Sequence, residues 1–352
     1  MKKEILTGYS YSELQAFVER LGEKKFRGRQ LFSWIYEKKT ISFDQMSDLG
    51  KPLRLKLGQA ALLGHLELIE KLWSPGSGSC KYLFCLSDGL IIESVYIPEA
   101  NRRTLCISTQ VGCALGCAFC ATGQMGFRRH LTAGEIVDQV ICVERDFGLE
   151  LTNVVLMGMG EPFLNYDAVM KACDLIHDEN GLAIGHRHLV ISTVGIVPAI
   201  YRYADEGRLY RLAISLHAAD DDKRRQIVPV GKKYPLAELM AAARYYAEKS
   251  RRRPTFEYVL LAGFNDSEQD ARQLRKLLSG IPCKVNLIPY NPAVSRFQRP
   301  DDAAVARFAE WLSPMKAPVS VRWSKGADID AACGQLAGGA AGLRRTHSES
   351  NS

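Results

Sequence analysis

From about residue 104 the sequence repeats one pattern: a short apolar run, a polar or glycine-bearing loop, then an amphipathic run at helical spacing. Expected strands lie at 105–109, 154–157, 189–193, 212–216, 256–261 and 285–288. Helical runs follow at about 166–178, 197–206, 235–250, 266–279 and 301–313. Thr132 and Glu135 form a capping box that opens one more helix after the first strand. Strands that alternate with helices build a parallel sheet, and right-handed crossovers curl it. Six such strands, with a late one at 319–323, predict an α/β fold, a partial (β/α)6 barrel whose chemistry collects at the carboxyl ends of the strands.

The preceding residues read differently. Ser10 stands before Leu14, Phe17, Val18 and Leu21 at helical spacing, so 1–65 is expected to be a small helical accessory domain. Residues 66–98 predict a β-hairpin connection turning at Ser87-Asp88-Gly89. The barrel core then takes 99–336, and the Gly/Ala-rich stretch 337–352 reads as a mobile tail. No run of 18 or more apolar residues occurs and the N-terminal residues lack an apolar core, so a soluble, cytoplasmic chain with no membrane partner is expected. The net charge of +7 comes in short basic groups, among them Lys24, Lys25, Arg27 and Arg29, then Arg128 and Arg129, then Lys223, Arg224 and Arg225. Such groups suit phosphates, although solvated surface patches have the same composition.

Three of the ten cysteines, Cys113, Cys117 and Cys120, stand in a C-x3-C-x2-C run just after the first barrel strand, with Phe119 before the last thiol. Three thiolates hold three irons of a cubane cluster and leave the fourth iron open to a small molecule. Ferredoxins supply four cysteines per cluster and zinc ribbons pair two knuckles; a structural zinc site or buried free thiols are the competing readings. The spacing is similar to that of the radical S-adenosylmethionine (SAM) enzymes. At successive strand ends stand Gly158, Gly160 and Glu161, then Ser192, then Ser215, Leu216 and His217, then Asn291. Glycines admit a ligand close to the backbone, and Glu161 suits an ammonium group. Singly, each is as well explained by a turn or a helix cap.

The chain resembles the RlmN/Cfr family of radical SAM adenine methyl synthases. The resemblance rests on residues 104–113, 120–127, 157–162, 192–195, 215–218 and 331–336, and the run after Glu161-Pro162 is similar to the RlmN branch. It implies a [4Fe–4S] cluster on Cys113, Cys117 and Cys120, and two SAM molecules per turnover. SAM contacts would fall to Gly160, Glu161, Ser192, Ser215, Leu216, His217 and Asn291. The product would be 2-methyladenosine in 23S rRNA near the peptidyl transferase centre, and in the anticodon loop of some tRNAs. Partners would be that RNA, an electron donor such as flavodoxin or ferredoxin, and a cellular thiol reductant.

The resemblance also gives roles to cysteines outside the cluster motif. Adenine carbon 2 is electrophilic, so polar methyl transfer fails and a radical route is required. One SAM would methylate Cys333, and a radical from the second would activate that methyl group for addition to adenine. Cys106 would then attack the sulfur, release methyladenine and leave a Cys106–Cys333 disulfide. Glu93 aligns with the family's base, which calls for a desolvated carboxylate of raised pKa; otherwise it is an exposed carboxylate on the polar face of its strand. Cys106 in an apolar strand would ordinarily be a small core residue, and Cys333 sits in a flexible Ala/Gly setting. Cys80, Cys85, Cys142, Cys173 and Cys283 read as structural. Two alternatives remain: carbon-8 methylation, and a non-catalytic zinc-holding RNA-binding protein.

Overall fold

The computed structural model describes residues 3–337. Apart from Ala337, the stretch expected to be a mobile tail lies outside the described residues. Ten strands make one sheet: β1 (Leu66–Trp73), β2 (Cys80–Leu86), β3 (Ile91–Glu99), β4 (Arg102–Cys106) and β5 (Asn153–Leu156), then β6 (Leu189–Thr193), β7 (Arg211–Ser215), β8 (Thr255–Leu260), β9 (Lys284–Pro289) and β10 (Val319–Val321). Their order across the sheet is their order in the chain. β1 to β4 pair antiparallel, and β4 to β10 pair parallel.

The parallel half is the expected partial barrel, with β10 as a seventh parallel strand at its edge. Short crossovers explain the order, because each helix returns the chain beside the strand it has just left. Helix Ala133–Phe147 opens with the Thr132/Glu135 capping box and stops at Gly148, which sits at φ +63°. The hairpin at 66–98 is hydrogen-bonded into the same sheet: β3 pairs with β4, and β1 adds a third antiparallel strand with an irregularity between Leu68 and Glu70.

The N-terminal residues form helices Tyr11–Arg20, Arg27–Phe32 and Lys51–Ala60, the second continuing into a π-helical turn at Ser33–Glu37. A two-residue parallel strand pair, Glu4–Ile5 with Ala61–Leu62, closes this unit and was not legible from helical spacing. It docks on helix Ala133–Phe147 through buried polar groups. The Asp138 carboxylate accepts from the N–H groups of His65 (2.6 Å) and Leu66 (3.0 Å). Gly8 and Gly134 face one another so closely that a Cβ on Gly134 would overlap the Thr7 carbonyl and the His65 ring.

Candidate active site

β4 ends at Cys106, and the chain then runs through Gln110–Gly112 into the cysteine loop. Gly112 takes φ +71° there, and a Cβ would collide with the Gly126 carbonyl, so the crossing beneath the loop needs glycine. Cys113, Cys117 and Cys120 all face one cavity of about 970 Å³ at the carboxyl ends of the strands. Burial pushes the Cys113 thiol up to about 12 and raises those of Cys117 and Cys120, each further opposed by its neighbours. Three mutually repelling, buried thiols become thiolates when cationic iron offsets both costs. Among the described residues no group of three His, Cys, Asp or Glu is gathered tightly enough for a metal ion. A cubane does not ask for that convergence, because each thiolate takes a different iron. The donor set therefore fits the cluster.

The opposite wall comes from the strand ends. Gly160, Glu161, Ser192, Ser215 and His217 line the same cavity as the three cysteines. Gly160 sits at φ +101° against the Gln110 side chain, which lets β5 and the cysteine loop touch. Glu161 is buried; its Oε1 accepts from Phe163 N–H (3.1 Å) and its Oε2 from Val194 N–H (2.9 Å). Burial nonetheless raises its carboxyl to about 7. A cationic ammonium placed against it reverses that balance, which is the property expected of a SAM contact. His217, at φ +61°, is buried and accepts from Val259 N–H at Nδ1 (3.1 Å), leaving Nε2 to carry the proton. Burial and Arg224 depress it to about 3, so it is a neutral donor, and Phe119 meets its ring edge-on at 4.9 Å.

Two expected SAM contacts lie elsewhere. The Leu216 side chain is wholly buried in the hydrophobic core, outside the cavity lining. Asn291 is also absent from that lining; its Nδ2 donates to Ser324 Oγ (2.8 Å) and to the Cys333 carbonyl (3.2 Å).

Cys333 rides on a strap, residues 326–337, that crosses the barrel mouth. The expected flexible setting is a pinned one. Ala121 N–H donates to Gly334 O (2.7 Å), Thr122 Oγ1 to Leu336 O (2.6 Å), and Gln335 Nε2 to Pro292 O (3.2 Å). Small residues allow this close crossing, with Ala331 and Ala332 buried and Gly334 at φ +86°. Cys333 and Cys106 line a second, larger cavity of about 2190 Å³, which shares with the first seven lining residues, among them Cys120, Gly158, Glu257 and Cys333. Burial pushes Cys106 up to about 12, with the neighbouring Cys333 adding to it. Arg322 counters this: its guanidinium is held by the charges of Cys333, Glu257 and Cys106.

Glu93 is 1% exposed, which removes the exposed-carboxylate alternative. It lies under the strap, where Ala337 N–H donates to Oε2 (3.2 Å) and Lys81 Nζ stands 3.9 Å from Oε1. It is outside the lining of both cavities.

Of the basic groups expected on phosphates, Arg129 and Lys223 to Arg225 are committed within the protein, whereas Lys24, Lys25, Arg29 and Arg128 make no side-chain hydrogen bond or ion pair among the described residues. Arg129 pairs with Asp88 (2.6 Å) and Glu135 (2.9 Å), Lys223 with Asp270 (2.6 Å), and Arg225 with Asp222. Arg224 is fully buried: Nε donates to Leu216 O (3.2 Å) and Nη2 to Val194 O (2.6 Å), tying the ends of β7 and β6. Glu257 and Arg322 are groups that the sequence did not single out, and Arg224, expected on phosphate, is instead an interior group. Arg224 sits in a basic triplet and the other two inside predicted strands, where spacing alone marks no difference.

The comparisons agree with this geometry. Residues 107–275, which include all three cluster cysteines, match the Radical SAM superfamily model, so a [4Fe–4S] cluster and SAM are the cofactors. Residues 5–63 match the model described as Ribosomal RNA large subunit methyltransferase N-terminal domain. A probable dual-specificity RNA methyltransferase RlmN of Clostridioides difficile is 46% identical over 95% of this chain and 98% of its own. Its Thermus thermophilus counterpart is 48% identical over 92% of each. The crystal structure of a radical SAM methyltransferase from Sphaerobacter thermophilus superposes with a TM-score of 0.91 at 44% identity, covering 95% of this chain and 99% of that one. At these identities and coverages, with both the accessory unit and the cluster domain matched, the chain belongs to the RlmN family of radical SAM RNA methyltransferases.

Proposed function

We propose that the protein methylates carbon 2 of adenine in 23S rRNA, and in the anticodon loop of tRNA, by carrying the methyl group on Cys333. The supporting observation is that Cys106 and Cys333, 227 residues apart in the chain (333 − 106), line one cavity that adjoins the cluster-cysteine cavity. A spectator cysteine needs no second thiol at its side; a sulfur carrier that must be freed by disulfide formation does.

The cluster and SAM, held by Cys113, Cys117 and Cys120 and by Gly160, Glu161, Ser192, Ser215 and His217, supply the radical that a methyl group on Cys333 requires. The chain's own groups do the rest. The strap holds Cys333 between the two cavities. Glu93 takes the ring proton from the adduct of adenine with the Cys333 methylene. Cys106, its thiolate favoured by Arg322, then attacks the Cys333 sulfur; the sulfur–methylene bond breaks and the freed methylene takes up a proton to become the methyl group. A flavodoxin or ferredoxin supplies electrons and a cytoplasmic thiol reduces the Cys106–Cys333 disulfide.

Nucleoside mass spectrometry on rRNA and tRNA from cells with and without the protein tests the assignment. Protein-dependent 2-methyladenosine in both supports it, and 8-methyladenosine alone refutes it. Cys333→Ala is expected to abolish methylation; a variant working at the wild-type rate would remove the methylcysteine step.

A further inference from the structure

Inward-facing side chains follow one another along the parallel strands with the period of two that strands impose. Towards the carboxyl ends these are Ser192, Ser215 and Val259 around the cluster cavity. Towards the amino ends they are Asn153, Arg211, Thr255 and Lys284, around the larger cavity that reaches up to Cys106 and Cys333. The carboxyl end is roofed by the cysteine loop and the strap, joined where Ala121 N–H meets Gly334 O (2.7 Å). The amino end is rimmed by exposed Arg102, Arg211 and Lys284; exposed Trp323, two residues past β10, lines the same cavity at the level of the carboxyl end of β9.

This rim is charged in one sense. Its cations, with Lys325 and Arg322 just inside, outnumber the two carboxylates of the lining, Glu99 and Glu257. Arg211 and Lys284 make no side-chain hydrogen bond or ion pair among the described residues. Trp323 is 48% exposed with Arg299 over its ring at 5.6 Å. At the inner end, Glu257 is buried, with Asn286 donating to Oε1 (3.0 Å) and Oε2 left without a partner. Free cations and an exposed indole lining one cavity suit a single-stranded nucleic acid, whose phosphates take the charge and whose unstacked bases take the ring. A buried, unsatisfied acceptor suits the exocyclic amino group of a base threaded inward.

We infer that RNA engages the barrel from the amino ends of its strands. A single-stranded segment runs along the cavity, with phosphates on Arg211 and Lys284 at the amino end and a base against Trp323 nearer the carboxyl end. The target adenine passes inward to Cys333 with its amino group on Glu257. This rests on the reading of Cys333 as methyl carrier, and it moves the RNA contacts away from the basic groups around the cluster loop and the N-terminal helices.

The test uses the reconstituted holoenzyme and a short RNA hairpin copied from the 23S rRNA target loop. Arg211→Glu with Lys284→Glu is expected to weaken binding by about 30-fold or more and to flatten the salt dependence by about two phosphate contacts. Trp323→Ala is expected to weaken binding about tenfold. Cluster absorbance, and methylation of Cys333 read from intact-protein mass, verify that the variants are folded. The milder Arg211→Gln with Lys284→Gln should give a smaller loss of the same kind. Wild-type binding by these variants, with the loss appearing instead in Lys24→Glu with Lys25→Glu, overturns the inference. Failure of the methylcysteine reading would show separately, as RNA methylation by Cys333→Ala, while the binding assay still reports where RNA sits.

Discussion

Asn291 holds Cys333 by its backbone: Nδ2 donates to the Cys333 carbonyl at 3.2 Å and to Ser324 Oγ at 2.8 Å. An asparagine at a strand end thus positions the sulfur without lining the cofactor cavity.

Asn291→Ala should therefore separate two activities. SAM cleavage, and the KM for SAM, are expected to stay near wild type, while RNA methylation falls about tenfold as the strap loses a bond worth about 1 kcal/mol and Cys333 drifts. Single-turnover assays of SAM cleavage and RNA methylation check this; a parallel loss of SAM affinity would return Asn291 to the cofactor.

Release of product should speed up with pH. Burial holds Cys106 near 12, so its thiolate fraction rises about tenfold per pH unit across the neutral range. Quenching the crosslinked intermediate between pH 7 and 9 should show that slope. Arg322→Gln removes the cation that favours the Cys106 thiolate, which pushes Cys106 higher still and slows release at every pH.

Arg224 should behave as a keystone. Arg224→Met removes two charged donors from the carbonyls of Leu216 and Val194 and leaves both without that partner. A stability loss of about 3 kcal/mol is expected, read as a lower urea midpoint, together with reduced iron content.

Gly134→Ala tests the docking of the N-terminal unit. The added Cβ would overlap the Thr7 carbonyl and the His65 ring, so the contact must open. SAM cleavage should survive, because the cluster loop is built by other residues, whereas RNA methylation should drop. Limited proteolysis near residue 65 would report the loosened contact.

Legibility in the sequence followed the physics of each element. The Thr132/Glu135 capping box and the helix start at Ser10 were readable because a cap is local. Strand ends were readable because a buried parallel strand is a continuous apolar run that stops abruptly. Gly160, Glu161, Ser192, Ser215 and His217 thus meet in one cavity, as their positions implied. Arg224 was not readable: Lys223 and Arg225 beside it point outward, and nothing in three consecutive charges marks the one that turns in. Glu257, buried within β8, and Arg322, half-buried just after β10, have the same character, since spacing alone does not reveal which way they turn. Cys333 looked loose because alanine and glycine give freedom to an isolated chain, but in the folded protein they permit close crossing.

The strap has a consequence for the order in which the molecule is made. Every strand pairs with its neighbour in sequence, so the sheet can grow as the chain emerges, at low cost in loop closure. The strap's bonds are of another kind: Lys81 to Asp330 spans 249 residues and Ala337 to Glu93 spans 244. Such contacts assemble late. The cysteine loop is thus formed while the mouth above it is still open, so the strap closes over a loop already in place. Thiol alkylation during refolding would time this, with protection at Cys113 expected to lag behind protection of the barrel amides.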